Sequence, residues 1–477
     1  MESIPLVVDL DGTLLRTDTL YESLLGLLRS SPRDLLHLPA WLARGKAYFK
    51  QQVARSAKLN LDTLPLNEEV LTWLRDQKAN GRHLVLATGA DASIAEQVAH
   101  RVGLFDEVLS SNGTINLTGS NKATVLQERF GEKGFDYAGN SRKDLTVWRH
   151  ARHAIVVNAR SSIAKRADEV CNVELTFAAP SRGPRTWLRM LRVHQWLKNL
   201  LLFTPIAAAH QLIDPTKLLQ VSTAFFAFSI SASAVYLAND LLDLENDRRH
   251  PRKQRRAFAS GQMPSWVGAL LTPVLLIVGV GLAGVVGMTF LQWLLVYLAI
   301  TSAYSFGLKR LAIIDALLLA LLYTLRVIAG AAASDTPLSF WLLAFSIFLF
   351  LSLAFVKRYA ELQIQLLEGS EKAHGRGYST SDAPIVQLLG VSSGFAAVLI
   401  LALYLDSTTV QDLYRSPQMV WGAVPVMLYW VSWIWLKAHR GEMHDDPLVF
   451  AMREPASLFA GAVFAGILII GAVGWPW

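Results

Sequence analysis

Residues Pro264 to Leu308 contain no Asp, Glu, Lys or Arg. As one α-helix this run would measure roughly 65 Å, about twice the hydrocarbon thickness of a bilayer. It therefore predicts two membrane-crossing helices, with the turn between Gly284 and Thr289. Asn199–Ile213, Leu218–Asn239, Leu311–Ala333, Pro337–Val356, Ala383–Leu405, Pro417–Leu436 and Pro455–Trp477 are also nearly free of charge. Together these segments predict nine spans. Backbone polar groups in lipid must be bonded internally, so the spans are expected to be helices.

Charge is concentrated elsewhere. Of the first 185 residues 45 are charged, against 38 of the remaining 292. The expected fold class is an α/β soluble domain with a small helical cap, followed by an all-α transmembrane bundle. The expected boundaries are 1–180 for the soluble domain, 181–197 for a basic linker and interfacial segment, and 198–477 for the membrane domain. This pattern excludes a wholly soluble or disordered chain. The lone Cys171 excludes an intramolecular disulfide framework. The net charge of +7 does not call for a nucleic-acid partner. The basic residues cluster beside apolar spans, where anionic lipid and anionic substrates account for them.

The start of the chain is not basic, and the apolar Leu6-Val7-Val8 meets Asp9 at once, unlike a signal peptide. With the soluble domain placed in the cytoplasm, the inner loops hold fifteen Lys/Arg and the outer loops only Lys217 and Arg415. The positive-inside rule then predicts a multi-pass inner (plasma) membrane protein with its C-terminus outside.

The most informative stretch runs from Asn239 to Arg256. Asp240, Asp243 and Asp247 stand at i, i+3 and i+7, on one face of a helix. Three carboxylates repel one another unless a cation lies among them, and hard oxygen ligands suit Mg²⁺. Arg248, Arg249, Arg252, Lys253, Arg255 and Arg256 follow, placed to neutralise phosphate. Acids and bases together describe a site for a diphosphate leaving group. Asp315 and Arg326 lie within one span, where charge is costly and reads as functional. An ordinary ion pair is the competing reading for Arg326. Lys198, Lys357 and Arg358 stand at span ends, as phosphate ligands or as ordinary interfacial charge.

The motif Asn239-Asp240-x-x-Asp243-x-x-x-Asp247 resembles the first acidic motif of the UbiA superfamily of intramembrane prenyltransferases. The likeness covers about residues 186–477 and is nearest to the decaprenyl-phosphate phosphoribosyltransferase branch. Its other carriers are His194 to Asn199, Tyr304 to Lys309, Asp315, Arg326 to Gly330 and Lys357 to Glu361. The resemblance implies Asn239, Asp240, Asp243 and Asp247 as metal ligands, with Asp240 and Asp243 catalytic. It implies Lys198, Arg255, Arg256, Lys309, Arg326, Lys357 and Arg358 as phosphate ligands. Asn199, Tyr304, Asp315 and Glu361 complete the implied membrane site. The donor would be 5-phosphoribosyl 1-diphosphate and the acceptor a polyprenyl phosphate, which needs no general base.

In the soluble part, an apolar strand delivers Asp9 and Asp11, and Gly12 turns the chain away. Leu84–Ala87 ends in Thr88-Gly89, Lys122 follows, and a third strand leads to Asp144. The pattern of apolar strand, polar tip and helix is that of an α/β site at the strand carboxyl ends. These stretches resemble the four motifs of the haloacid dehalogenase superfamily. The resemblance implies Asp9 as nucleophile, Asp11 as general acid and base, and Thr88, Gly89 and Lys122 as phosphate ligands. Asp9, Asp11 and Asp144 would hold Mg²⁺. Residues 15–67 would form the cap, with helices near 18–29, 33–46 and 47–58.

The expected function is therefore bifunctional. Phosphoribose passes to a polyprenyl phosphate, and the soluble domain removes the 5-phosphate. An aromatic prenyltransferase is the alternative, disfavoured by the single Asp315 where aromatic-substrate members carry paired aspartates. A transporter would place paired charges near the midplane of several spans, which this chain does not do.

Overall fold

The computed structural model describes residues 4–57, 59–250, 253–367, 377–443 and 446–474. Pro251 and Arg252 of the basic run lie outside the described residues, as do 475–477 at the end of the last expected span. The chain divides into two compact units: Met1–Leu191 with Tyr236–Thr272, and Arg192–Val235 with Pro273–Trp477.

The first unit holds a six-stranded parallel sheet: β1 (Leu6–Val8), β2 (Leu84–Asp91), β3 (Glu107–Ser111), β4 (Asp136–Gly139), β5 (His153–Val157) and β6 (Asn172–Phe177). Their spatial order is β3-β2-β1-β4-β5-β6. Val7 pairs with Val85 on one side and Tyr137 on the other, which makes β1 central. Alternate residues feed opposite cores. Leu6 and Val8 pack with Leu84 and Leu86, and Val7 packs with Val85, Tyr137 and Trp148. Strands buried on both faces read as continuous apolar runs, which is why β1, β2 and β4 were legible in the sequence.

The cap follows β1. Thr19–Ser30 begins at Asp18, whose carboxylate accepts the Leu20 amide at 2.9 Å. The expected helix near 33–46 is split into a 3₁₀ turn, Pro32–His37, and a short helix, Leu38–Ala43. Pro39 lacks the N–H that a continuous α-helix would use there. Lys46–Ser56 closes the cap.

Among the described residues, eight helices are long and apolar enough to cross a membrane. The charge-free double run forms Ser265–Val286 and Met288–Phe306, broken at Gly287 with φ +151°. The expectation of a continuous helix over Asn199–Ile213 is corrected. This segment is a 3₁₀ helix, Val193–Phe203, and a short α-helix, Thr204–Ala208. Pro205 has no amide to give the Leu201 carbonyl, which instead accepts the Thr204 hydroxyl at 2.7 Å. The acidic stretch is also not one unbroken helix. The span Pro215–Leu242 ends before Asp243, and Leu244–Arg249 restarts after it.

Candidate functional site

The carboxyl ends of β1, β2 and β4 bring the soluble-domain motifs together. Lys122 Nζ donates to Asp9 at 2.7 Å and to the Tyr137 hydroxyl at 2.9 Å. The Tyr137 hydroxyl donates to Asp144 Oδ1 at 2.9 Å. Asp144 Oδ2 accepts the Asn140 and Ser141 amides and the Ser141 hydroxyl, which aims the other oxygen at the site. Gly12 has φ +76°, and a Cβ there would collide with the Asn140 side chain. Thr88 is fully buried, and its hydroxyl accepts the Ala90 amide at 3.0 Å. The Gly89 carbonyl accepts from Lys50 at 2.7 Å.

The electrostatics separate the two aspartates of β1. Burial raises Asp9 to about 6; Lys122 opposes this and the Asp144 charge adds to it. Burial, then the charges of Asp18 and Asp9, raise Asp11 to about 8. At neutral pH Asp9 is mostly ionised while Asp11 keeps its proton. That is the division a nucleophile and a general acid require. Asp9 and Asp144 form an all-oxygen donor set suited to Mg²⁺, and their mutual repulsion is what a bound cation relieves. Sequence reasoning missed Tyr137, Lys50 and Asp18. Tyr137 sits inside the apolar run of β4 and carries no signal of its own. Lys50 lies on the cap, and its pKa is lowered by burial.

The acidic motif is organised by one guanidinium. Arg256 reaches Asp240 at 3.0 Å and Asp247 at 2.6 Å. Asp243 is the N-cap position between the two helices. Asn239, Asp240, Asp243 and Asp247 carry oxygen donors of the kind Mg²⁺ takes, whereas the group of acids and histidines that lies within 4.8 Å among the described residues is Asp136, His153 and Glu174. Arg248, next to Asp247, makes a bidentate pair with buried Glu22 of the cap, at 2.6 and 3.1 Å. Arg29 of the same cap helix pairs with Glu245 at 2.6 Å. Arg255 is exposed.

In the second unit, two of the expected bases converge on a residue the sequence reading missed. Asp446 accepts from Lys198 at 2.7 Å, from Lys357 at 3.2 Å and from the Tyr323 hydroxyl at 2.8 Å. Tyr323 also faces the cations of Lys198 and Arg326. Arg326 donates to Asn199 Oδ1 at 2.9 Å and to the Tyr297 hydroxyl at 3.1 Å. The Asp446-Pro447 dipeptide announces a helix start, but not this convergence. Asp315 does not pair with Arg326. It meets Arg358 at 3.0 Å and the Tyr378 hydroxyl at 2.7 Å. Arg358 is 1% exposed and also bonds Glu361, so this group is a buried ion-pair network rather than an open anion site. Tyr304 ends the helix Met288–Phe306, and Lys309 lies in the turn Leu308–Arg310.

Comparison with known proteins matches two stretches of the chain to two families. Residues 200–454, more than half the chain, match the UbiA prenyltransferase family. Residues 6–149 match the haloacid dehalogenase-like hydrolases. The chain is 37% identical to the uncharacterized protein y4nM of Sinorhizobium fredii, covering 98% of this chain and 91% of that one. It is 37% identical to nodulation protein NoeC of Azorhizobium caulinodans, covering 57% of this chain and 89% of that one. It is 36% identical to decaprenyl-phosphate phosphoribosyltransferase of Mycobacterium tuberculosis, covering 46% of this chain and 72% of that one. The chain belongs to the UbiA prenyltransferase family, as a multi-pass membrane enzyme with an N-terminal haloacid dehalogenase-like hydrolase domain.

Proposed function

We propose that this enzyme transfers phosphoribose from 5-phosphoribosyl 1-diphosphate to a polyprenyl phosphate, and then removes the 5-phosphate. The relatives named decaprenyl-phosphate phosphoribosyltransferase support the first step. The observation that carries the pairing of steps is the buried Glu22–Arg248 bridge. It joins the hydrolase cap to the helix bearing Asp247, so the hydrolase site and the acidic motif share one compact unit.

In the transfer, a lipid phosphate oxygen attacks the anomeric carbon and diphosphate leaves. Asn239, Asp240, Asp243 and Asp247 would hold Mg²⁺, which supplies positive charge for the departing diphosphate. Lys198, Lys357 and Arg326 orient the anionic lipid, and Asp446 and Tyr323 fix those cations in place. In the second step Asp9 attacks phosphorus while Asp11 gives its proton to the ribose oxygen. Asp11 then takes a proton from the water that opens the aspartyl-phosphate. Lys122 holds the transferred phosphate, and Asp9 with Asp144 would hold the metal.

The same bridge bears on topology. With the acidic helix proposed on the same side of the membrane as the soluble domain, residues 192–242 would make an even number of crossings. Pro215–Leu242 makes one crossing, and we assign the other to Val193–Ala208. At about 2.0 Å per 3₁₀ residue and 1.5 Å per α residue, that segment rises roughly 30 Å, the thickness of the bilayer core. The basic loops then face the cytoplasm and the C-terminus lies outside.

The test is diphosphate release by purified protein with Mg²⁺. Polyprenyl phosphate with 5-phosphoribosyl 1-diphosphate should turn over, and Asp243→Ala should abolish the reaction. Turnover only with polyprenyl diphosphate and 4-hydroxybenzoate would replace this reading with aromatic prenylation.

A further inference from the structure

A cavity of about 190 Å³ opens beside Asp11, where Asp18 and Tyr21 at the start of the cap helix also line it. Its wall includes Asp11, Gly12 and Asn140 of the hydrolase site, then Arg16 and Arg182, then Trp266. Trp266 stands in the first turn of the membrane-spanning helix Ser265–Val286 and is 43% exposed. The cavity therefore gathers two cations and an aromatic side chain of the kind that sits at lipid headgroups beside the hydrolase site.

The two arginines are only partly engaged: Arg16 gives one terminal nitrogen to Asn67 Oδ1 at 3.5 Å. Among the described residues neither makes an ion pair with a carboxylate. Arg16 Nε is buried and has no hydrogen-bond partner. An orphaned guanidinium N–H is costly, and an anion would satisfy it. Arg182 donates Nε to the Gln262 carbonyl at 3.3 Å, which leaves its terminal nitrogens for a ligand. The wall is built by close approach. Gly261 has φ +71°, and a Cβ there would meet Arg16 Cβ at 2.6 Å and the Arg16 carbonyl at 2.9 Å. Gln262 ties the same loop to the linker through the Ser181 carbonyl at 3.1 Å and the Thr186 hydroxyl at 3.2 Å.

We infer that this cavity is a second anion subsite, and that the hydrolase substrate is a membrane-held lipid carrying two phosphates. The terminal monoester is cleaved at Asp9. The inner phosphodiester is held by Arg16 and Arg182, and the first isoprene units leave past Trp266. This rests on the proposed function and specifies what its second step recognises: the phosphodiester and lipid, not only the sugar phosphate.

The experiment uses the full-length protein in detergent with two phosphomonoesters. One is a short-chain polyprenyl-phospho-ribose 5-phosphate, the other free ribose 5-phosphate. Phosphate release should favour the lipid in kcat/KM by about two orders of magnitude. Arg182→Gln should lower that preference about tenfold, mainly through KM. Trp266→Ala should lower it for the lipid alone. Residual turnover of ribose 5-phosphate reports that each variant is folded. A wild-type preference that Arg182→Gln and Trp266→Ala leave unchanged overturns the subsite, while the dephosphorylation reading survives. Equal turnover of both substrates by the wild type does the same. Hydrolysis of neither removes that reading as well.

Discussion

Asp9 and Asp11 have the same side chain but different protonation states, because only Asp9 has Lys122 beside it. Asp9→Asn should therefore lose phosphate release entirely while leaving transfer of phosphoribose intact, measured as diphosphate release. Arg256 plays the matching part in the acidic motif, since it is the cation shared by Asp240 and Asp247. Arg256→Ala should leave those carboxylates to repel each other. Diphosphate release should then fall at least tenfold while half-maximal rate needs less Mg²⁺, since a bound cation relieves that repulsion, which a metal titration reads directly. Candidate residues were legible here because acids and bases among apolar residues are expensive and few. Their pairing was not. Nothing in the spacing tells that Arg358, rather than Arg326, takes Asp315, because that choice depends on which helices pack together.

Among the elements, the cap helix Thr19–Ser30 carries the most consequence. Its Glu22 is held by Thr17 at 2.6 Å and by Arg248, and the Glu22 and Arg248 side chains are 4% and 6% exposed. Breaking such a pair from one side leaves a buried charge and costs about 3 kcal/mol. Glu22→Gln should lower the thermal midpoint of the purified protein, and Glu22→Gln with Arg248→Met should recover part of the loss. The strands β1, β2 and β4 and most spans were readable from their apolar runs, and the break at Gly287 fell inside the expected turn. Val193–Phe203 was not readable as a 3₁₀ helix. It contains no Pro or Gly to mark the change, and the missing amide at Pro205 bears only on its last turn.

For the whole molecule, the proposed topology has a direct check, because Cys171 is the single cysteine and is buried. In a Cys171→Ser background, a cysteine at Arg415 should react with a membrane-impermeant maleimide added outside intact cells. One at Lys253 should react only after the membrane is opened. The opposite pattern would invert the topology. Domain order and membrane class were legible from charge distribution alone. The sharing of one compact unit by the hydrolase and the acidic loop was not, since it rests on Glu22 and Arg248, far apart in sequence. The central claim is that one chain both makes and trims a phosphoribosyl lipid. The most direct test is the mass of the lipid product formed from polyprenyl phosphate and 5-phosphoribosyl 1-diphosphate by the wild type and by Asp9→Asn. The account predicts polyprenyl-phospho-ribose from the wild type, and a product heavier by one phosphate from the variant. The same phosphorylated product from both would contradict it.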